Sequence, residues 1–93
     1  MASEYGIISV TDSATLIINS NTDRKKLILK NIGTNTVFIG KNSSIVTTAN
    51  NANGAYPVKV NGFLYLNDYT GDVYGICETG KTSTINILEE ELA

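Results

Sequence analysis

Short apolar segments alternate with polar clusters along the whole chain. Runs of β-branched and aromatic residues recur at intervals of about eight to twelve residues, and Asn, Gly, Asp and Ser separate them. Val37/Ile39 and Ile85/Ile87 alternate with polar or small residues, whereas no long stretch keeps the apolar spacing of an amphipathic helix. The pattern predicts a single all-β domain over residues 1–93, a small antiparallel β-sandwich or jelly-roll-like barrel of about eight short strands.

The clearest strand pair in the sequence is the stretch from Arg24 to Lys41. Its two apolar runs are joined by the polar turn Gly33-Thr34-Asn35, so we predict a hairpin with Leu27, Leu29, Val37 and Ile39 in the core. The remaining strands are predicted at Tyr5–Thr11, Ala14–Asn19, Ile45–Thr48, Val58–Leu66 as a second hairpin, Val73–Cys77 and Thr82–Leu88.

The second predicted hairpin has Asn61-Gly62 at its turn, a pair suited to a type I′ turn. In that register Val60 faces Phe63 and Val58 faces Tyr65, while Leu64 and Leu66 lie on the other face. Because both faces are apolar, the second face must be covered by the rest of the chain or by another subunit. The interface candidates are therefore Val58, Val60, Phe63, Leu64, Tyr65 and Leu66, with Tyr56, Tyr69 and the polar segment Ala49–Asn53.

The polar ends and the longest loop carry weaker signals. Residues 1–5 read as a flexible arm, residues 89–93 as an acidic tail or one helical turn, and Ala49–Gly54 as a mobile connection. Glu4 stands where a signal peptide would be positive, and no apolar run approaches the length of a membrane span. We therefore expect neither a signal peptide nor a transmembrane segment, and synthesis in the cytoplasm.

Charge and residue types argue against several functions. The net charge is −2 and the pI about 4.9, so nucleic-acid binding is disfavoured, and the cluster Arg24, Lys25, Lys26 and Lys30 fits a solvated strand face. The chain has no histidine, and its single cysteine, Cys77, reads as a small core residue. We expect no enzyme activity.

Two further constellations have an alternative reading. Asp68 and Asp72 flank Gly71 and could line a calcium loop, or act with Glu78 in a hydrolase, but Asp and Gly are also ordinary turn residues. We expect no metal and no cofactor. The tyrosines could line a sugar-binding face, or pack in the core or a subunit interface, and they occupy positions 5, 56, 65, 69 and 74.

The segment Asn21–Asn31, followed by Val37-Phe38-Ile39-Gly40, resembles a small β-sandwich domain of virion proteins from tailed bacteriophages. That family pattern runs N-P-x-R-x-x-L-x-I-x-N, a polar turn, then V-x-I-G. The resemblance continues through Asn53-Gly54, Val58–Leu66, Asp68-Tyr69-Thr70-Gly71, Val73-Tyr74 and Thr84–Glu89. Two positions depart from it: Thr22 replaces a proline, and Val60-Asn61-Gly62 replaces a Pro-Gly-Gly type turn.

The resemblance implies a structural virion protein rather than an enzyme. From this resemblance we expect first a capsid decoration or cement protein that forms a homo-oligomer, with a trimer favoured, and binds the major capsid protein. A tail- or fibre-associated module that binds host glycans is the alternative. Arg24 and Asn31 are expected to be structural, with Arg24 hydrogen-bonded to backbone carbonyls at a loop crossing or, failing that, in an interface ion pair.

Overall fold

The computed structural model describes residues 3–47 and 55–91, and the side chains of residues 6–47 and 55–91. All regular secondary structure in this part of the chain is β-strand, which confirms the all-β prediction. The strands are β1 (Ser3–Val10), β2 (Thr15–Ile18), β3 (Arg24–Asn31), β4 (Val37–Gly40), β5 (Tyr56–Val58), β6 (Phe63–Asn67), β7 (Val73–Ile76) and β8 (Ser83–Glu91).

The strands form two four-stranded antiparallel sheets. Sheet A has the order β1-β8-β3-β6, and sheet B has the order β2-β7-β4-β5. Pairing joins β1 to β8, β2 to β7, β3 to β6 and β4 to β5, so the first half of the chain runs antiparallel to the second half. A long hairpin rolled into two layers in this way is the topology of a jelly roll.

The core lies between the two sheets. Alternate residues of each strand point into it, as the period of two requires. Cys77 is 1% exposed and belongs to the core, as the sequence predicted. The other core side chains, which include the four predicted from the first strand pair, are Val10, Ile17, Leu27, Leu29, Val37, Ile39, Val58, Val73, Ile85 and Ile87.

The predicted hairpin from Arg24 to Lys41 is wrong. β3 lies in sheet A between β8 and β6, whereas β4 lies in sheet B between β7 and β5. The turn at Gly33 therefore crosses from one layer to the other. A Cβ atom at Gly33 would lie 2.5 Å from the backbone N of Thr84, so the crossing passes too close to β8 for any other residue.

The second predicted hairpin is also wrong. β5 pairs with β4 and β6 pairs with β3, so β5 and β6 do not face each other across a ladder. A turn is present: Gly62 N donates to Lys59 O at 2.8 Å, and Asn61 has a φ of 65°. Only its third residue has a positive φ, as in a type II turn and not in a type I′ turn.

Other predictions concern the chain ends and loops. The final strand continues through the expected acidic tail as far as Glu91, and the expected N-terminal arm is strand from Ser3. Ile45–Thr48 is not a strand in the described part, where Ile45 is buried beside Gly40. The expected mobile loop and contact segment within 49–54 lie outside the described residues. No helix in the described ranges is long and apolar enough to cross a membrane.

Candidate interaction surface

Arg24 and Glu89 form a buried ion pair at the first residue of β3. Their side chains are 1% and 4% exposed, and Arg24 Nε lies 2.6 Å from Glu89 Oε2. Arg24 Nη1 donates to the carbonyls of Tyr69 and Gly71 at 3.1 and 2.9 Å, and Nη2 donates to the carbonyl of Asn19 at 2.5 Å. These carbonyls belong to the β2–β3 and β6–β7 connections. One side chain therefore holds two loops against β8, and its role is structural.

Asn31 occupies the other end of β3 and is fully buried. Its amide nitrogen donates to the carbonyls of Asn35 and Val58 at 2.7 and 2.9 Å. Its amide oxygen accepts from Gly33 N at 3.1 Å and from Ser83 Oγ at 2.7 Å. All four hydrogen-bonding positions of the side chain are used, and they connect both sheets and the crossing between β3 and β4.

The interface candidates of the second hairpin divide into three groups. Val58 is 3% exposed and lies in the core. Three other candidates pack partly buried against the core, and these are Leu64, Leu66 and Tyr69. The remaining four are exposed by 62%, 43%, 67% and 48% respectively, and these are Tyr56, Val60, Phe63 and Tyr65.

An apolar patch lies on the solvent-facing side of sheet A. Ile28 of β3 is paired with Tyr65 of β6 on one side and with Leu88 of β8 on the other. Phe63 extends this row at its β6 end, opposite Lys30. We call Ile28, Phe63, Tyr65 and Leu88 the outer patch. It interrupts the lysine face predicted for β3, because Ile28 stands between Lys26 and Lys30.

Sequence reasoning missed Ile28 and Leu88 as surface residues. The signal was present for β3, since alternation that buries Leu27 and Leu29 must turn Ile28 outward. The same signal was present for β8, since alternation that buries Ile85 and Ile87 turns Leu88 outward. Only the register of β8 against β3 places Leu88 beside Ile28.

An apolar pocket of about 260 Å³ opens between the two sheets near the edge strands β5 and β6. Among the described residues that line it, Lys41 is the one with a charge, and its Nζ atom lies 4.8 Å from the centre of the Tyr69 ring. We call it the β5–β6 pocket, and its lining is Ile39, Gly40, Lys41, Tyr56, Leu64, Leu66, Tyr69 and Val73.

Two titratable groups near the core have raised pKa values. Burial, reinforced by the charge of Asp72 and opposed by that of Arg24, raises the pKa of the Tyr69 phenol, which donates to Asp72 O at 2.7 Å. Burial and the charge of Asp12 raise the pKa of the Cys77 thiol. A raised thiol pKa means less thiolate at neutral pH, which makes Cys77 a poor nucleophile.

The acidic and basic residues singled out in the sequence have ordinary partners. Asp68 accepts from Lys25 Nζ at 2.8 Å on the surface, and Asp72 accepts from Ser20 N at 2.6 Å. The basic cluster is divided, because Arg24 is buried while Lys25 is exposed. Among residues 3–47 and 55–91, no group of three or more acidic, cysteine or histidine side chains could hold a metal ion.

Comparison with known proteins finds no matching family model, no matching curated protein and no matching solved structure.

Proposed function

We propose that this chain is a structural component of a virus particle, a capsid decoration protein that oligomerises and binds the major capsid protein. The resemblance of Asn21–Asn31 and Val37–Gly40 to phage virion domains suggests this class. The observation that carries the proposal is the outer patch, an apolar strip on the exposed face of a jelly-roll sheet.

The fold is compatible with this role without requiring it. Jelly rolls serve as viral capsid domains and also as lectins and cupins, so the surface must decide between them. Phe63 and Tyr65 are 67% and 48% exposed on one sheet face, next to the half-buried Ile28 and Leu88. Aromatic residues grouped in this way are typical of protein contacts.

A decoration protein acts through many weak contacts. Burying an exposed Phe side chain contributes about 1.5–3 kcal/mol, which is roughly a 10- to 150-fold change in affinity. One such contact per subunit is modest. When this contact is repeated over a capsid, rupture of the shell must also break the contacts of every bound subunit.

The proposal can be tested by co-sedimentation with capsids assembled without this protein. We expect saturable binding that Phe63→Ser weakens about tenfold or more. Ile7→Ser is the matched control, because Ile7 is equally exposed at 65% but lies on β1 at the opposite edge of sheet A. Absence of binding, or equal weakening by both substitutions, would contradict the proposal.

The second candidate, a glycan-binding tail or fibre module, is favoured by Tyr56. This side chain is 62% exposed and lines the β5–β6 pocket with Lys41. The remaining lining is almost wholly apolar, whereas a sugar needs several polar partners for its hydroxyl groups. A glycan array that shows binding, lost in Tyr56→Ala, would favour this function over capsid decoration.

A further inference from the structure

The four edge strands of the sandwich differ in how well they are protected against pairing with another chain. β5 contains Pro57, and β2 has a register irregularity between Leu16 and Ile18. β1 contains Glu4 and Gly6. Proline, bulges and charged residues are the devices that natural sheets use to prevent edge pairing. β6, with the sequence FLYLN, contains none of them.

The hydrogen bonds at the two ends of β6 show which of its backbone groups point toward β3 and which point away from it. Asp68 N donates to Lys25 O, and Asn31 N donates to Gly62 O, both at 2.9 Å. Residues along an antiparallel strand alternate between bonding the partner and pointing away from it. Even-numbered residues of β6 therefore bond to β3, and the residues that point their N–H and C=O groups away are Phe63, Tyr65 and Asn67.

No strand in the described ranges pairs with this second edge of β6. It presents N–H and C=O groups from three residues in one line, without a charged side chain among Phe63–Asn67. The edge also borders the β5–β6 pocket, because Leu64 and Leu66 line that pocket while β5 pairs only with β4. This edge, which no described strand pairs with, and the apolar gap thus lie at the same side of the sandwich.

We propose that β6 pairs antiparallel with β6 of a second copy of this chain, about a two-fold axis at Tyr65. In this register Tyr65 faces Tyr65 of the other copy, and Phe63 faces Asn67. Each N–H and C=O group of the strand that points away from β3 then has a partner. Leu64 faces Leu66 on the inner side, so each copy adds aliphatic side chains at the mouth of the other copy's pocket.

The self-complementary order of residues is the reason to choose a second copy as the partner. When FLYLN is reversed about Tyr65, Leu lies opposite Leu and Tyr lies opposite Tyr, so each of the three central residues of the strand meets a residue of its own type. The pairing would also join the two outer patches across a continuous eight-stranded sheet, with four strands from each copy. It predicts a dimer as the smallest oligomer, in place of the trimer that the resemblance implies.

The experiment compares oligomeric state and amide exchange in the wild type, Tyr65→Lys and Ile7→Lys. Analytical ultracentrifugation from roughly 10 µM to roughly 1 mM covers the range expected for a small strand-edge contact. Tyr65→Lys places two like charges opposite each other at the axis, and we expect it to raise the dimer dissociation constant at least about tenfold. Ile7→Lys puts the same charge on the other edge strand of sheet A, where it should leave the dimer unchanged.

Amide exchange measured by NMR supplies a readout specific to the strand edge. The amides of Phe63, Tyr65 and Asn67 should become protected as the concentration rises, whereas Leu64 and Leu66 should be protected throughout. Circular dichroism confirms that each variant is folded. A strict monomer at 1 mM, an oligomer insensitive to Tyr65→Lys, or exchange at the three edge amides that ignores concentration would each overturn the contact.

This inference names the contact through which the proposed decoration protein would oligomerise, but the argument for the contact rests on the strand edge alone. Capsid binding is measured separately, so a dimer that ignores capsids would refute the virion role and leave the β6 contact standing.

Discussion

Replacement of Glu89 by Gln should reveal how far the fold depends on the buried ion pair with Arg24. Gln has nearly the same volume and keeps an oxygen that can accept from Arg24 Nε, so packing and the hydrogen bond are largely preserved. What changes is the charge, because the guanidinium is left in the interior without its carboxylate. The substitution therefore isolates the electrostatic part of the contact.

The expected loss follows from burial. Removing one partner of a buried ion pair costs about 3–5 kcal/mol. In this protein the carbonyls of Asn19, Tyr69 and Gly71 still solvate part of the guanidinium, so we expect the lower end, about 3 kcal/mol. A domain of 93 residues has a total stability of about 5–14 kcal/mol. The variant should fold with a melting temperature lowered by at least about 12 °C.

Urea denaturation followed by circular dichroism at pH 7 measures this loss. The control is Asp68→Asn, which breaks an ion pair of similar length, 2.8 Å, whose Lys25 and Asp68 side chains are 49% and 70% exposed. That pair should contribute no more than about 0.5 kcal/mol. If Glu89→Gln costs no more than Asp68→Asn, the reasoning from burial is refuted.

Three further predictions concern the layer crossing between β3 and β4 and the two titratable groups at the core, Cys77 and Tyr69. Gly33→Ala should destabilise the protein by at least about 2 kcal/mol, measured by urea denaturation, because its Cβ would lie 2.5 Å from Thr84 N; a neutral effect would contradict the tight crossing. Asn31→Ala should cost about 2–4 kcal/mol in the same assay, since four hydrogen bonds are lost; a loss below 1 kcal/mol would show that the partners find water. The folded state raises the pKa values of Cys77 and Tyr69 above their ordinary 9.0 and 10.0, so the free energy of unfolding should be unchanged below about pH 9 and should fall as the pH rises above it. Cys77→Ala should remove the part of this fall that occurs at the lower pH. A free energy of unfolding that stays flat from about pH 8 to 11 would contradict both shifts.

The sequence determined the fold class and much of the core. Alternation at Val37/Ile39 and Ile85/Ile87, together with turn residues at regular spacing, is enough for an all-β sandwich, because a period of two can bury one face only as a strand. Cys77 belonged to the core for the same local reason. The burial of these residues depends on which face of the strand they occupy, and the sequence contains that information.

Strand pairing was decided by the tertiary structure alone. Both predicted hairpins had suitable turns, yet each turn carries the chain from one sheet to the other. A short polar turn between two amphipathic strands satisfies either arrangement, since in both cases the apolar faces meet in the core. The choice depends on partners far along the chain: β8 and β6 occupy both edges of β3, and β7 and β5 occupy both edges of β4.

The candidate surface shows the same division between what local sequence predicts and what strand pairing decides. Alternation within β3 already turns Ile28 outward, but only the registers of β6 and β8 place Tyr65 and Leu88 beside it. Burial of Glu89, which in sequence belongs to an acidic chain end, likewise requires Arg24, 65 residues earlier. Local chemistry defined the strands and their inner faces, and long-range pairing defined which side chains meet.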